Sequence, residues 1–374
     1  MLLCSNARIF MPEGWVYGGF RVENGLFSEL IPGLTSGGRD LGGAKVIPGL
    51  VDIHIHGAAG ADASDGDPEG LLTMGRYLAS RGVTAFLPTL MSLPKEHTGR
   101  ALAAVREAKG RLDSASALIL GARMEGPFLS EERRGAQNRA YLRVPDAEEF
   151  LSLWEHAGTA IPITDLAPEL PGAMDFIRRT APVSRVSLGH TAADYETSAE
   201  AFDAGASHVT HLFNAMPAFA HRAPGLIGAA AERSGVTAEL ICDGVHVHPS
   251  AVRLAFRIFP ERLCLISDAM RCCGRGEGEY DLGGQNVTVR GGEARLSDGT
   301  IAGSVSDLFD GLRNAVRFGA DEETAVRAAT VLPARVAGCA ELVGSIGAGR
   351  RADFLVCGDD LSLREVYISG KRIR

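Results

Sequence analysis

Eight short apolar runs alternate with amphipathic stretches through the middle of this chain, and that rhythm limits the folds open to it more than any other feature. The runs lie near "GLVDIHIH", "VTAFLPTL", "ALILGARMEG", "IPITDLAPE", "VSRVSLGHT", "ASHVTHLFNA", "VTAELICDG" and "RLCLISDAM". Strands this apolar, separated by helices, suit a parallel sheet, because each crossover lays a helix on the sheet and both faces are buried. The helical stretches between them, such as "PEGLLTMGRYLASRG", "DYETSAEAFDAG" and "PSAVRLAFRIF", each carry an apolar stripe. Eight strand-helix units is the number that closes a barrel, so residues 49–340 are expected to form an α/β fold of the (β/α)8, TIM-like type.

The two ends of the chain read differently. "RVENGLFSEL" and "TSGGRDLGGA" near the start, and "GSIGAGRRADFLVCGDDLSLREVYISGKRIR" at the end, are short alternating segments punctuated by glycine. Residues 1–48 and 341–374 are therefore expected to meet in one small β domain. No repeat with a period of 20 to 50 residues and no low-complexity segment interrupts this plan.

Composition narrows the function classes. With 374 residues, 45% hydrophobic and 22% charged, the chain is long enough for a large core and too apolar for disorder. The formal charge of −8 argues against a nucleic-acid partner. No apolar stretch approaches the roughly 20 residues needed to cross a bilayer, which argues against a membrane protein. "MLLCSNARIFMPEGW" lacks the marks of a secretory leader, so a cytoplasmic location is expected. The seven cysteines show no CxxC spacing and are expected as free thiols, Cys272 and Cys273 included.

In a barrel of this type the chemistry sits at the C-terminal ends of the strands. Strand one ends in His54 and His56, strand three in Glu125, strand five in His190, strand six in His211 and strand eight in Asp268. Residues two apart on a strand share a face about 6.6 Å apart, near enough for two imidazoles to converge on one ion. On that alternation Val51, Ile53 and Ile55 face the outer helices. His208, three positions before His211, falls on the other face and reads as structural. An HxH pair alone is equally a pair of polar residues in an ordinary strand, and Asp268 alone could be a helix N-cap. Together, histidines and carboxylates at five strand ends point to a divalent metal, one or two per chain. Such an ion lowers the pKa of its bound water to about 7, and Asp268 could exchange that proton or serve as a further ligand. Zinc is expected first, with iron, manganese and cobalt also compatible with these donors.

The stretches "PGLVDIHIHG", "MEGPFLSEERRGAQN", "LAPE", "SLGHT", "THLFNAMPAFAHRAPGLIG", "CDGVHV", "LISDAM" and "GTIAGS" give the chain a resemblance to a known family. Over nearly its whole length it resembles the N-acetylglucosamine-6-phosphate deacetylases of the amidohydrolase superfamily. The resemblance implies that the barrel carries a small β-sandwich built from both chain ends, usually within a homodimer. It implies Glu125, His190 and His211 as the principal metal ligands, with His54 and His56 supporting a second ion in some members. Asp268 matches the general acid/base and His246 a substrate contact. Asn214 and Ala215 match positions that hold the sugar phosphate, and Arg222 matches an arginine that reaches the phosphate in the neighbouring subunit's site. Gln137 stands where some members place a phosphate-contacting histidine, so it is expected to contact phosphate as a hydrogen-bond donor without charge. His221 beside Arg222 reads as a surface residue.

The activity implied is attack of a metal-bound hydroxide on the acetyl group of N-acetylglucosamine 6-phosphate, giving glucosamine 6-phosphate and acetate. N-acetylgalactosamine 6-phosphate is an alternative substrate. Another amidohydrolase acting on a small amide is a second alternative, disfavoured where a carboxylated lysine is needed, because no lysine lies between Lys109 and Lys371. A non-catalytic sugar-phosphate sensor is a third, at odds with the presence of every expected ligand and the acid/base.

Overall fold

In a computed structural model describing residues 1–34 and 36–374, all eight expected barrel strands form. They are Leu50–Ile55, Val83–Leu90, a third strand split into Leu118–Ile119 and Arg123–Met124, then Ile163–Leu166, Arg185–Leu188, His208–Val209, Thr237–Ile241 and Leu263–Ile266. Each pairs in parallel with its neighbour in chain order. The last strand returns to the first at its C-terminal end, where Asp268 N–H donates to the His54 carbonyl at 2.9 Å. The helices expected in the sequence form at Pro68–Ser80, Tyr195–Ala204 and Pro249–Ile258. Two of them start on aspartate N-caps, Asp67 and Asp194, whose side chains accept first-turn N–H groups.

The first barrel strand departs from simple alternation. Opposite Val83–Leu90 its register slips between Asp52 and Ile55, so three steps on one strand face two on the other. One extra residue reverses which side chains point inward. Val51 and Ile53 accordingly belong to an apolar cluster inside the barrel with Ala85, Leu87, Ile163, Cys264 and Ile266, closed off by helix Val331–Val336. Ile55 alone of the three expected outward residues joins the cluster shared with the outer helices. The bulge lets apolar residues fill the barrel interior and still aims His54 and His56 into it.

The chain ends meet as expected, in one eight-stranded sheet. Lys45–Pro48 lies between Leu2–Met11 and Phe354–Cys357, which knits the two termini together. Its core stacks Phe354 on Tyr367 and sets Phe20 edge-on to Phe27 and Phe354. Thr35, first residue of the expected "TSGGRDLGGA" segment, lies outside the described residues. A three-stranded antiparallel meander, Gly278–Leu282, Gln285–Arg290 and Glu293–Leu296, has no counterpart in the sequence reading. It packs Leu282, Val287 and Val289 on Met91 and Met270 beside the barrel mouth. All seven cysteines are free thiols. Among the described residues no helix is long and apolar enough to cross a membrane.

Candidate active site

The ligand-type side chains are aimed by the way each strand stops. The ladders end at Leu188, Val209 and Ile266, and two residues later His190, His211 and Asp268 all take positive φ, +46°, +28° and +49°. Left-handed backbone is unfavourable for such residues, by about 1–3 kcal/mol each, and persists where the surroundings enforce it. Here it turns each chain away from the strand direction and swings the side chain into the barrel mouth. Asp268 caps no helix, because the next element is the strand Gly278–Leu282.

Glu125 is the centre of the cluster. Its Oε1 lies 3.2 Å from His54 Nε2, 3.2 Å from His190 Nε2 and 3.1 Å from His211 Nε2, while its Oε2 lies 3.1 Å from His56 Nε2. Asp268 Oδ1 sits 3.3 Å from His56 Nε2 and 3.5 Å from His54 Nε2. Two ligand groups result, His54–His56–Glu125 and Glu125–His190–His211, each with its ligand atoms within 4.8 Å of one another and all residues buried. Glu125 is common to both.

The donor chemistry fits a cation. His56 and His190 give Nδ1 to the carbonyl oxygens of Thr89 and Arg133, so Nδ1 carries the proton and the Nε2 lone pair faces inward. His54 gives Nδ1 to the Glu239 carboxylate, and its Nε2 is buried without a hydrogen-bond partner. His190 Nε2 and His211 Nε2 are 3.0 Å apart, a separation at which two lone pairs need a proton or a metal between them. Burial would lower the His54 pKa, but the Asp268 and Glu125 carboxylates outweigh it and push the value up to about 9. Glu125 and Asp268 are conversely held ionised by the surrounding imidazoles against the upward pull of burial.

A cavity of about 280 Å³ opens onto this cluster. His56, Glu125, His190, His211, Asp268, His246, Asn214, Ala215 and Gln137 all line it, and the meander and the segment after it contribute Leu282 and residues 300–303. His246 is held by Asp243, whose carboxylate lies 2.6 Å from Nδ1 and also accepts the Val245 and His246 N–H groups. Its Nε2 meets the Ala302 carbonyl at 2.8 Å, so both ring nitrogens face acceptors and the ring is favoured as a cation. Gln137 is placed differently from expectation: its amide is buried against Glu125 and Ser92. Arg222 does not line the cavity of its own chain. It is exposed, with Phe219 and His221, in a loop pinched by paired Ala220 and Ala223.

One layer deeper lies a set of charged residues that the sequence reading passed over. Arg123 is fully buried, donates to both Asp165 oxygens at 2.9 and 3.1 Å, and also to Glu239, Thr210 and the Ile53 carbonyl. Glu239 in turn accepts from His54 Nδ1 and from the His211 backbone N–H. His208 points inward to this layer, not to the outer face, and bonds Glu239 and Thr237. A charged residue in the middle of an apolar strand, as in "GARME", "PITDLAP" and "TAELIC", was the available signal.

Fold and site together define a (β/α)8 hydrolase whose strand ends converge on histidine and carboxylate side chains grouped as they would be to hold a metal ion. The chain belongs to the amidohydrolase family, whose profile matches residues 45–373. It is 41% identical over 320 residues to the N-acetylglucosamine-6-phosphate deacetylase of Bacillus subtilis (strain 168), covering 84% of this chain and 81% of that one. It is 32% identical to the N-acetylgalactosamine-6-phosphate deacetylase of Escherichia coli O157:H7, over 97% of both. A solved structure of N-acetyl-D-glucosamine-6-phosphate deacetylase from Mycobacterium smegmatis superposes with a TM-score of 0.93 at 32% identity, covering 99% of this chain and 98% of that one. In it an aspartate-to-alanine mutant is in complex with N-acetyl-D-glucosamine-6-phosphate.

Proposed function

We propose that this protein is an N-acetylglucosamine-6-phosphate deacetylase, a metal-dependent hydrolase that yields glucosamine 6-phosphate and acetate. The observation that carries the reading is Glu125 shared among four histidines, with Asp268 beside them in the same cavity. The similarity to relatives of that activity supports it.

Glu125, His190 and His211 would hold one divalent ion, and His54, His56 and Glu125 a second. Zinc is the first choice, with iron, manganese or cobalt also matched to these donors. An ion held there supplies Lewis acidity, which polarises the amide carbonyl and makes water more acidic. Asp268 carries the proton: as a carboxylate facing the cavity it accepts one from the attacking water and returns it to the departing amine nitrogen. His246, held in place by Asp243, contacts the polar sugar, with Asn214 and Ala215 bounding the phosphate end. Arg222 serves the neighbouring site in a homodimer, where its planar fork grips the phosphate. Residues 49–340 form the catalytic domain and residues 1–48 with 341–374 the small β domain of a cytoplasmic enzyme.

The alternative substrate is N-acetylgalactosamine 6-phosphate, favoured by the Escherichia coli relative, which aligns over 97% of this chain. Acetate release from the two sugar phosphates, with elemental analysis of the same preparation, tests the reading. Faster release from the gluco form by metal-loaded protein is expected. A strong preference for the galacto form reverses the substrate assignment, and no release from either after metal loading removes the activity.

A further inference from the structure

We propose that Gln137 is a positioning residue that sets the orientation of the Glu125 carboxylate between the two ligand groups, an inference resting on the metal-dependent reading above. Gln137 is 2% exposed. Its Nε2 donates to Glu125 Oε2 at 2.7 Å and its Oε1 accepts the Ser92 N–H at 2.8 Å. These two neighbours dictate the direction of the amide. Reversed, its NH2 would face an N–H donor and its oxygen a carboxylate. The second Nε2 hydrogen is turned toward Met91 Sδ at 3.6 Å, which leaves no donor of this side chain free for a phosphate.

The bonded oxygen is the one that matters. Glu125 Oε1 faces His54, His190 and His211, whereas Oε2 faces His56 alone. The terminal torsion of a glutamate is soft, so the carboxylate plane is set by what its oxygens bond. A neutral N–H on Oε2 holds that plane and adds no positive charge next to a cation site. An ammonium or imidazolium there would compete with the metal.

The loop that carries Gln137 sets a second ligand as well. The Arg133 carbonyl fixes His190 Nδ1 at 2.9 Å. Gly135, at φ +55°, passes so close to the same ring that a Cβ there would lie 3.3 Å from His190 Cε1. Gln285 of the meander then donates to the Ala136 carbonyl at 2.5 Å. Residues 133–137 are thus one short segment gripping two ligands, pinned from outside by the Gln285–Arg290 strand.

Gln137→Ala and Gln285→Ala separate this role from phosphate binding. Metal affinity is measured by chelator competition on each metal-free protein, the absorption spectrum of the cobalt-loaded form is recorded without substrate, and KM and kcat are measured at saturating metal. Loss of a hydrogen-bond partner to a ligand typically costs about 10–100-fold in metal affinity. Gln137→Ala is expected to show such a loss and a shifted cobalt spectrum, with KM for N-acetylglucosamine 6-phosphate within about threefold of the parent. Gln285→Ala, a half-buried position on the meander, is expected to fold and to weaken metal binding by a smaller factor in the same direction. Parent-like metal affinity and spectrum in Gln137→Ala overturn the proposal, and a tenfold rise in KM alongside them assigns the residue to phosphate instead. If Gln137→Ala does not fold, Gln285→Ala decides: a parent-like metal affinity and spectrum there overturn the proposal. A parent protein that binds no metal or releases no acetate refutes the underlying function and is seen in the control before any variant is compared.

Discussion

His54 and His208 are both wholly buried inside the barrel and both bond to Glu239, yet only one is equipped for chemistry. His208 has a partner on each ring nitrogen, Thr237 Oγ1 at 2.6 Å and Glu239 Oε1 at 3.0 Å, and burial moves its pKa down. His54 has a partner on Nδ1 only, and its Nε2 faces the Glu125 and Asp268 carboxylates. The same contrast holds for the two layers they represent. In the deeper layer Arg123 is paired with Asp165 and Glu239, whereas the rim layer gathers four histidines around the Glu125 and Asp268 carboxylates. What separates the two histidines is the direction of Nε2, toward the rim carboxylates in His54 and toward Glu239 in His208.

The sharpest way to break this comparison is at Glu125, which the two ligand groups share. Glu125→Ala should abolish acetate release and leave almost no metal on the purified protein, with both read on one preparation. Retention of a full complement of metal would show that the histidines suffice without it. Asp268→Asn comes next: a general acid/base typically contributes about 10²–10⁴-fold, so kcat should fall by that factor while elemental analysis shows metal still bound. Near-normal turnover would take the proton-transfer role away from Asp268.

The pH dependence is a smaller effect with a definite sign. With the His54 pKa pushed up to about 9 in the metal-free form, an ion must displace a proton below that pH. Metal affinity should therefore rise with pH up to about pH 9, about tenfold per unit for each proton displaced. Chelator competition across pH 6–9 measures the slope, and a flat profile would contradict the rim histidines as ligands. The smallest effect is expected at His208. His208→Asn should cost about 1–3 kcal/mol of stability in denaturant titration, the range for leaving a buried partner unsatisfied, and leave metal content unchanged. A loss of metal there like that of a rim ligand would erase the distinction between the layers.

Much of this was legible in the chain itself. The eight strands and their order follow from apolar runs set by burial on both faces, and the candidate ligands could be placed because a barrel puts its chemistry where its strands stop. The inner charged layer was not, since Arg123 and Glu239 are 116 positions apart and a charge within an apolar run does not by itself name its partner. The partners of Gln137 were not legible for a related reason. Its partners, Ser92 and Glu125, lie on two different strand ends, and only the closed barrel brings them to one amide. The meander escaped notice because its strands are short and half exposed, with little apolar pattern to announce them.

The sequence by itself determined the barrel, the joining of the two termini and which histidines and carboxylates stand at the strand ends, since burial pattern and side-chain chemistry are local properties. Only the tertiary structure decided which way those side chains point. The bulge between Asp52 and Ile55 reverses the inward face of the first strand, and left-handed turns at His190, His211 and Asp268 swing three more residues into the mouth. Both devices are costly in isolation and survive because neighbouring strands hold them, which is information that no single stretch of the chain contains.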